Sequence, residues 1–387
     1  MKDFKKDLFY GLLHGIIAFT SIVVVANILG FPLTNSFLFA GVGTLIFKLV
    51  TKNKIPMVMG ISGSYISAML LIGGAYGKGA VLCGVITSGV IYIILGLLIT
   101  KYQNNIFKFI PKWILNVAVI LIALNLLPIG SDLVGDNILV AVITIGTLII
   151  CTLLKNKYIN MFSVPIAIII GTLFVAVTTG LDFSVLSQTL SFEFIRPEFN
   201  LSAIFTIGLV SLGVLGEILG DTENTSNIIG KDIAKEVGLG RVVIGNGLAT
   251  LTSGAGSSIP STSYGENASL LLITKYFRPN AQIYTAIFFI IISFFTPLLK
   301  LVMLIPSSCL GSIALYLYAM FCVNAIKDLS KNVDLKNDNK KFIIITVMIA
   351  IFFININIFG VSISSIAVSM IVGVLLNLFI KEAVQNG

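Results

Sequence analysis

The chain has 387 residues, of which 57% are hydrophobic and only 11% are charged. A water-soluble domain carries about a quarter charged residues, so this composition excludes an ordinary soluble protein. The net charge of +8 would suit a nucleic-acid binder, but the Lys and Arg residues stand singly or in pairs between apolar stretches. That distribution is typical of the loops of membrane proteins, and it predicts a lipid bilayer rather than a nucleic acid as the partner.

Apolar stretches long enough to cross a bilayer, about 17–25 residues each, recur from Phe9 to the C-terminus. We expect about fourteen spans, several of them short or interrupted, in an all-α polytopic membrane protein. Their approximate bounds are 9–29, 35–50, 56–73, 79–100, 111–129, 137–154, 159–179, 202–220, 240–254, 258–275, 281–303, 305–325, 341–358 and 363–381. No small-residue cleavage site follows the first stretch, so we expect it to be retained as a span.

The cations predict how these spans are oriented. If the N-terminus is cytoplasmic and the chain changes side at each span, all but three of the 25 Lys and Arg residues lie inside. The three exceptions are Lys78, Arg196 and Lys300. Because cytoplasmic loops carry the excess of Lys and Arg, this asymmetry predicts a protein of the cell membrane with both termini cytoplasmic.

The third and tenth stretches both depart from a continuous apolar helix. Each begins near a proline and passes through Gly and Ser to a tyrosine, Tyr65 in the third and Tyr264 in the tenth. Paired interruptions in two halves of a chain predict the midplane binding site of a transporter. Since each half has an odd number of spans, we expect two inverted repeats, residues 1–190 (spans 1–7) and 191–387 (spans 8–14). The alternative is that Gly and Ser only let helices pack closely.

Two carboxylates stand out in these apolar surroundings, Glu217 and Glu266. An ionisable residue inside a membrane span indicates a functional site, so we predict that the two face each other across a buried binding site. Asp221 lies four residues after Glu217, on the same helix face. Two acids that close in a low dielectric do not both ionise readily, so one would hold a proton. Alternatively, Asp221 caps a solvated helix end and Glu217 makes a structural hydrogen bond.

His14 is the only histidine, and without ligand partners it argues against a metal site. Two roles stay open for it, as a proton relay or as a hydrogen-bond partner of a carboxyl group. An aromatic face of Tyr65 or Tyr264 could stack on a planar ligand. The polar residues expected to support the broken backbone are Ser62, Asn246 and Asn267.

Three stretches carry a resemblance to a known family. They are KIPMVMGISGSYIS from Lys54, NGLATLTSGAGSSIPSTSYGEN from Asn246 and IPSSCLGSIALYLYAMFCVNAIKDL from Ile305. They resemble the xanthine/uracil permease family of nucleobase–cation symporters, and in particular its bacterial uracil permease branch. The resemblance implies a core domain (spans 1–4 and 8–11), a gate domain (spans 5–7 and 12–14) and short extended segments in spans 3 and 10. It also implies proton-coupled uptake of a nucleobase, with the proton as coupling ion and no other cofactor. We also expect a homodimer through the gate domain.

The resemblance assigns roles residue by residue. Glu217 matches the glutamate of the eighth span that hydrogen-bonds the base and is linked to the proton. Glu266 matches the glutamate of the tenth span, and Gly265 supplies a backbone amide to the ligand. The chain departs from the uracil branch at Gly63, where a phenylalanine is usual, and at Asp221, where a histidine is common. These departures bear on which base is carried.

Uracil is therefore the expected substrate, and three alternatives stand beside it. One is xanthine or another purine, although purine members typically carry Gln–Asn where this chain has Glu266–Asn267. Another is anion transport of the related sulfate-permease type, for which two buried acids are unfavourable. The third is an intramembrane enzyme, but no HExxH motif occurs and no lysine is placed to activate a serine. We expect no enzymatic activity.

The topology yields a first testable prediction. A single cysteine placed between Lys327 and Lys341, in a chain whose four native cysteines are serine, should react with an impermeant maleimide only in inside-out vesicles. A matched cysteine near Arg196 should react only in right-side-out cells. Labelling of the 327–341 loop from outside would contradict the fourteen-span arrangement.

Overall fold

The computed structural model describes residues 2–102, 111–135, 137–187, 189–265, 267–334, 337–354, 356–358, 361–363 and 365–380. Helices make up most of this structure, as the hydropathy predicts. In chain order they are α1 (Lys2–Leu29), α2 (Leu33–Val50), α3 (Ile66–Tyr102), α4 (Lys112–Val134), α5 (Ile138–Leu153), α6 (Lys157–Met161), α7 (Ser163–Thr178), α8 (Leu201–Ile229), α9 (Ile233–Glu236), α10 (Leu239–Ala255), α11 (Asn267–Thr274), α12 (Ala281–Phe294), α13 (Thr296–Val302), α14 (Ser307–Asn332), α15 (Asn339–Phe352) and α16 (Ser365–Phe379).

The number of membrane-spanning helices depends on how broken helices are counted. Within the described ranges, six helices are long and apolar enough to cross a membrane, namely α1, α2, α3, α4, α8 and α14. The pair α12 and α13, bent by 86°, would make a seventh. Shorter apolar helices such as α5 and α7 fall below that length, and α3 counts once although its backbone breaks at Gly77 (φ 81°). The protein is thus a multi-pass membrane protein, and the count of fourteen spans stays a prediction.

The helix contacts fall into two groups. In the first, α10 packs along α3 and α2, and α12 packs on α2 and α1. In the second, α4 packs along α14, α5 packs on α7, and α15 packs on α16. Helix α8 touches both groups through α3 and α4. The first group contains the elements expected in a core domain and the second those expected in a gate domain, and the domain division itself stays a prediction.

Glycines bring the backbones of α3 and α10 into contact. A Cβ atom at Gly89 would lie 2.6 Å from the backbone nitrogen of Leu251 and 2.8 Å from the carbonyl oxygen of Gly247. Because backbone atoms cannot move aside as a flexible side chain can, any larger residue would force the two helices apart. The close packing fixes α10 as a rigid support for the segment that follows it.

The expected extended segments are present, and they pair with each other. Strand β1 (Met59–Ile61) precedes a 3₁₀ turn, Gly63–Tyr65, and strand β2 (Ser261–Ser263) precedes α11. The two strands are antiparallel, with Met59 opposite Ser263 and Ile61 opposite Ser261. A non-helical backbone at this depth is tolerated because each strand supplies hydrogen-bond partners to the other.

The expectation of an all-α protein is wrong near the end of the thirteenth predicted span. The thirteenth predicted span extends to residue 358, but helix α15 ends at Phe352. Strands β3 (Ile356–Ile358) and β4 (Val361–Ile363) follow as an antiparallel pair. The sequences INI and VSI alternate apolar and polar residues, which is a strand pattern and not a helical one.

Candidate functional site

The two broken segments form a short ladder in the buried centre of the protein. Beyond the strands, the Ser62 backbone N–H donates to the Pro260 carbonyl oxygen at 2.9 Å, and the Tyr264 N–H donates to the Val58 carbonyl oxygen at 3.0 Å. Both β1 and β2 are buried along their whole length. The ladder therefore satisfies main-chain groups that have no access to water.

Side chains from the flanking helices complete this ladder. Thr44 on α2 accepts a hydrogen bond from the Met59 N–H at 3.1 Å. On the other side, Thr250 on α10 donates to the Ser261 carbonyl oxygen at 2.8 Å, and Asn246 accepts from the Ser263 N–H at 2.7 Å. Each strand is thus held by the helix that precedes it in the chain. Asn246 lies where a residue supporting the broken backbone was expected.

Helix α8 presents two carboxylates to the broken segments. The Ser64 hydroxyl donates to Glu217 Oε1 at 2.6 Å, and the Ser263 hydroxyl donates to Asp221 Oδ2 at 3.1 Å. Because the two acids are four residues apart on one helix face, each contacts a different segment. The structure therefore brings Glu217 and Asp221 together with both breaks. The interpretation of Asp221 as a cap of a solvated helix end does not fit this contact.

Gly265 lies directly against the Asp221 carboxylate. A Cβ atom at this position would lie 2.5 Å from Asp221 Oδ1, so a larger residue would displace the acid. Glu266, the next residue and the second predicted acid of the site, lies outside the described residues.

A cavity of about 790 Å³ lies beside this ladder. It is lined by residues of both segments and of α8, and by residues of α1, α4, α7 and α14. The predicted site residues on its wall are Ser62, Gly63, Glu217, Asp221, Tyr264 and Gly265. Cavities of about 300–1,000 Å³ with a few converging polar groups are typical of small-molecule sites. Within the described residues, no group of three or more His, Cys, Asp or Glu could hold a metal ion.

The two tyrosines of the broken segments occupy different environments. Tyr264 lines the cavity, and its ring packs on Gly60 of the opposite strand so closely that a Cβ there would overlap it. Tyr65 is fully buried outside the cavity, where its hydroxyl lies 2.6 Å from that of Tyr92 on α3. The 3₁₀ turn directs Tyr65 into the helix packing, which corrects its assignment as a ligand-contacting ring.

Position 63 has open space around it. A Cβ atom on Gly63 would meet only Val25 at 3.8 Å and Ile66 at 3.9 Å, which are ordinary contact distances. Position 63 itself carries no ring. The aromatic side chains on the cavity wall are Tyr264 of the other segment and, on α14, Tyr316, Tyr318 and Phe321.

His14 and Asn267 do not lie on the cavity wall, but they contact each other. His14 Nδ1 lies 2.8 Å from Asn267 Oδ1, and both residues are buried. The structure therefore joins α1 to the first residue of α11, immediately after the site. Two roles were considered for His14, as a proton relay or as a hydrogen-bond partner of a carboxyl group. The contact in the structure is a hydrogen bond, and the partner among the described residues is the side-chain amide of Asn267.

Sequence reasoning missed several residues that shape the site. Ser64 and Ser263 bond the α8 acids, while Lys48 and Gln282 lie behind His14. The role of the serines could have been predicted from the sequence, because a buried hydroxyl group in a broken span needs a hydrogen-bond partner. Lys48 gave a weaker signal, since it stands at the end of its apolar stretch, where a solvated lysine is ordinary.

This architecture is found in solved membrane transporters. The fold is shared with the transmembrane domain of the bicarbonate transporter BicA of a cyanobacterium, at a TM-score of 0.65 and 13% identity over 98% of both chains. Murine Slc26a9, an anion transporter solved in the inward-facing state, matches at a TM-score of 0.66 and 14% identity over 96% of this chain and 67% of that one.

The sequence itself identifies the family. Residues 5–359 match the family model Xan_ur_permease, described as "Permease family", and the chain belongs to this family. Uracil permease of Bacillus subtilis is 29% identical over 97% of this chain and 93% of its own length. The putative pyrimidine permease RutG of Escherichia coli is 24% identical over 98% of this chain and 90% of its own. The resemblance seen in the sequence is confirmed, and the protein is a permease rather than an enzyme.

The support given by Asn246 leads to a prediction about stability. Asn246→Ala should lower the free energy of unfolding by about 1–3 kcal/mol, because the buried Ser263 N–H loses its acceptor. Thr252→Ala, which removes only a hydroxyl bonded within the same helix, should lose less. Thermal unfolding of the detergent-purified protein measures both. An alanine variant as stable as the wild type would show that Asn246 does not hold strand β2.

Proposed function

We propose that this permease is a secondary active transporter that carries a nucleobase, with uracil as the expected substrate, into the cell together with protons. The observation that carries this proposal is the site itself, in which two acids of α8 and the main chain of two broken spans face one cavity. Relatives named uracil permease over nearly the full chain length support the choice of base.

The chemistry of the cavity wall suits a flat heteroaromatic ring. Such a ligand needs apolar contact on its faces and hydrogen-bond partners at its edges. Tyr264 offers an aromatic face, while Glu217 and the backbone of Gly265 offer an acceptor and a donor. Glu266 is expected to add a second acceptor. A ring edge that carries N–H and C=O groups would be recognised strongly. Each buried polar group of the site that is left without a hydrogen-bond partner costs about 1–3 kcal/mol.

Proton coupling rests on the two acids of α8. Glu217 and Asp221 share one helix face and line one cavity. Two carboxylates one helical turn apart inside a protein favour binding of at least one proton. A proton taken up by Glu217 neutralises the site at the moment when the base is bound, so the two can move together.

The position of the cavity between the two helix groups supports alternating access. Its lining combines α8 and the broken segments with α4 and α14 of the second helix group. Movement of the core group against the gate group would expose the site to each side in turn. The cavity also reaches exposed residues near the end of α14, Asp328 and Lys331, on the face assigned to the cytoplasm. Cytoplasmic termini and a homodimer through the gate domain belong to the same proposal.

A purine is the second candidate, and one observation favours it. The space around Gly63 leaves room that a phenylalanine would fill. A two-ring base such as xanthine needs more room than uracil. Anion transport has the support of the fold alone, since the anion transporters of this fold are only 13–14% identical.

An uptake panel tests the proposal directly. Cells that lack their own nucleobase permeases, expressing this chain, should accumulate radiolabelled uracil, and a protonophore should abolish the accumulation. Labelled thymine, xanthine and bicarbonate are tested in the same cells. Accumulation of xanthine but not of uracil would select the purine as the substrate. Uptake of bicarbonate without any nucleobase uptake would overturn the proposal.

Glu217→Gln should separate binding from coupling. At a gradient of one pH unit, about 1.4 kcal/mol, the wild type can concentrate the base by up to about tenfold per coupled proton. The variant should only equilibrate the base, because a neutral amide cannot carry the proton. It should still exchange labelled for unlabelled base, since an amide oxygen can accept from Ser64. Reconstituted vesicles measure both processes, with Glu236→Gln, on an exposed residue, as the control. Undiminished accumulation in the Glu217 variant would exclude this acid as the proton carrier.

The two tyrosines give a matched pair of variants. Tyr264→Leu should weaken binding of the base about 2- to 10-fold, because it removes the aromatic face on the cavity wall, and such contacts contribute about 0.5–1.5 kcal/mol. Tyr65→Phe should leave affinity unchanged and lower only thermal stability, since it removes a hydroxyl bonded to Tyr92. Equilibrium binding to the purified protein measures the effect. If Tyr65→Phe weakened binding and Tyr264→Leu did not, the ligand would lie against the third span.

A further inference from the structure

The segment that leads into α8 is irregular, yet buried side chains from other parts of the chain hold it. It comprises residues 189–199 and has no helix or strand. Most of its residues are exposed, so it has little hydrophobic burial to keep it in place. We call this segment the strap. Its order depends on the hydrogen bonds that its main chain makes with two buried residues, Asn35 and Ser257.

Asn35, near the start of α2, binds the main chain of the strap as a neighbouring strand would. Its Nδ2 donates to the Glu193 carbonyl oxygen at 2.7 Å, and its Oδ1 accepts from the Glu193 N–H at 3.1 Å. The same Nδ2 donates to the Gly256 carbonyl oxygen at 2.8 Å. Asn35 is fully buried, so water cannot replace these bonds. One side-chain amide therefore joins the strap to the end of α10.

Ser257 makes the second connection, from the turn that follows α10. Its hydroxyl accepts from the Ile195 N–H at 2.7 Å and donates to the Ile195 carbonyl oxygen at 3.1 Å. Ser257 has a φ of 56°, the left-handed conformation in which glycine commonly ends a helix and a serine is strained. The strain is offset by the hydroxyl, which glycine lacks and which binds the strap.

The turn held in this way leads directly into the second broken segment. Three residues separate Ser257 from β2 (Ser261–Ser263), and the last of them, Pro260, accepts a hydrogen bond from the first segment. Because the connection is so short, a shift of the turn would displace β2. Tyr264 and Gly265 of the cavity wall come directly after β2 and would move with it.

The other contacts of the strap are made with the same helix group as the site. The Phe192 ring lies 5.0 Å from the Phe294 ring, centroid to centroid, at the end of α12. The Glu198 N–H donates to the Gly79 carbonyl oxygen on α3 at 3.0 Å. Helices α2, α3, α10 and α12 all belong to the first group. The strap is therefore expected to move with the site and not with α7, the helix that precedes it.

We propose that the strap positions the second broken segment, and that Asn35 and Ser257 are the positioning residues that hold it. Neither residue is part of the cavity wall that the structure describes, so each acts on a ligand only through the turn before β2. The effect on transport rests on the proposed function. The order of the turn itself can be measured without any substrate.

Two adjacent serines give a matched pair of variants. Ser257→Ala removes the hydroxyl that binds the strap, whereas Ser258→Ala removes one that is just as buried and has no partner among the described residues. Amide hydrogen exchange between residues 259 and 264, followed by mass spectrometry, should become about 2- to 10-fold faster in Ser257→Ala. It should stay at the wild-type rate in Ser258→Ala. Equal exchange in the two variants would overturn the proposal.

Transport kinetics separate positioning from stability. In Ser257→Ala, KM for uracil should rise about 2- to 10-fold with kcat little changed, because the base then has to order β2 as it binds. Ser257→Gly removes the same hydroxyl but also the backbone strain, so it should be more stable than Ser257→Ala and show the same raised KM. It also replaces the alanine variant if that one does not fold. A wild-type KM in Ser257→Gly would show that only stability is affected and would refute the positioning role. If the wild type does not transport uracil, the proposed function fails and hydrogen exchange still decides on the strap.

A covalent bridge tests whether the strap moves with the site. In a chain whose native cysteines are serine, Phe192→Cys and Phe294→Cys are joined by a short bifunctional thiol reagent, and mass spectrometry measures the bridged fraction. Uptake should be the same before and after bridging, because both positions belong to one moving group. Loss of uptake on bridging would place the strap with the gate group, and failure of the two cysteines to bridge would contradict the contact itself. Either result overturns the proposal.

Discussion

The structure depends on one constraint, which is that a non-helical backbone deep in a membrane protein has no water to bond. The two broken spans meet this constraint by pairing with each other, as β1 and β2, in antiparallel register. Thr44, Thr250 and Asn246 serve main-chain groups along the same ladder. The ladder ends where the Gly63 turn and the start of α11 begin. The site is therefore built by the same hydrogen bonds that make the breaks tolerable.

The acids of α8 are part of this support. Glu217 and Asp221 each accept a hydrogen bond from a serine of one segment, so the charge state of α8 and the geometry of both breaks are linked. A carboxyl group that gains a proton changes from an acceptor only into a group that can also donate. The serine hydroxyl that donates to this carboxyl group then has to reorient, or the hydrogen bond between the two breaks. Proton uptake at these acids can in this way alter the surface presented to a ligand without any movement of the surrounding helices.

The sequence predicted the breaks and the acids, because Pro, Gly, Ser and Glu are costly in an apolar helix and stand out there. The extended conformation of the two segments was implied only by family resemblance. Their pairing with each other was not predicted, because MGI and STS do not alternate apolar and polar residues. The environment of Tyr65 could not be predicted. Both tyrosines follow the same local pattern, and only the 3₁₀ turn at Gly63 decides that one enters the packing while the other lines the cavity. Lys48 was missed for a similar reason, because burial at a helix end is decided by neighbours from distant parts of the chain.

The comparison with anion transporters separates the roles of fold and site. Chains that are 13–14% identical share this architecture, so few side chains are needed to specify it. Close helix packing at glycines such as Gly89 and the pairing of two short strands are enough to hold a central cavity open between two helix groups. What the cavity accepts is then decided by a small number of groups on its wall. Under the proposed function, carboxylates on α8 oppose an anion and favour a ligand that can donate hydrogen bonds, so a change of those residues would adapt the same scaffold to a different cargo.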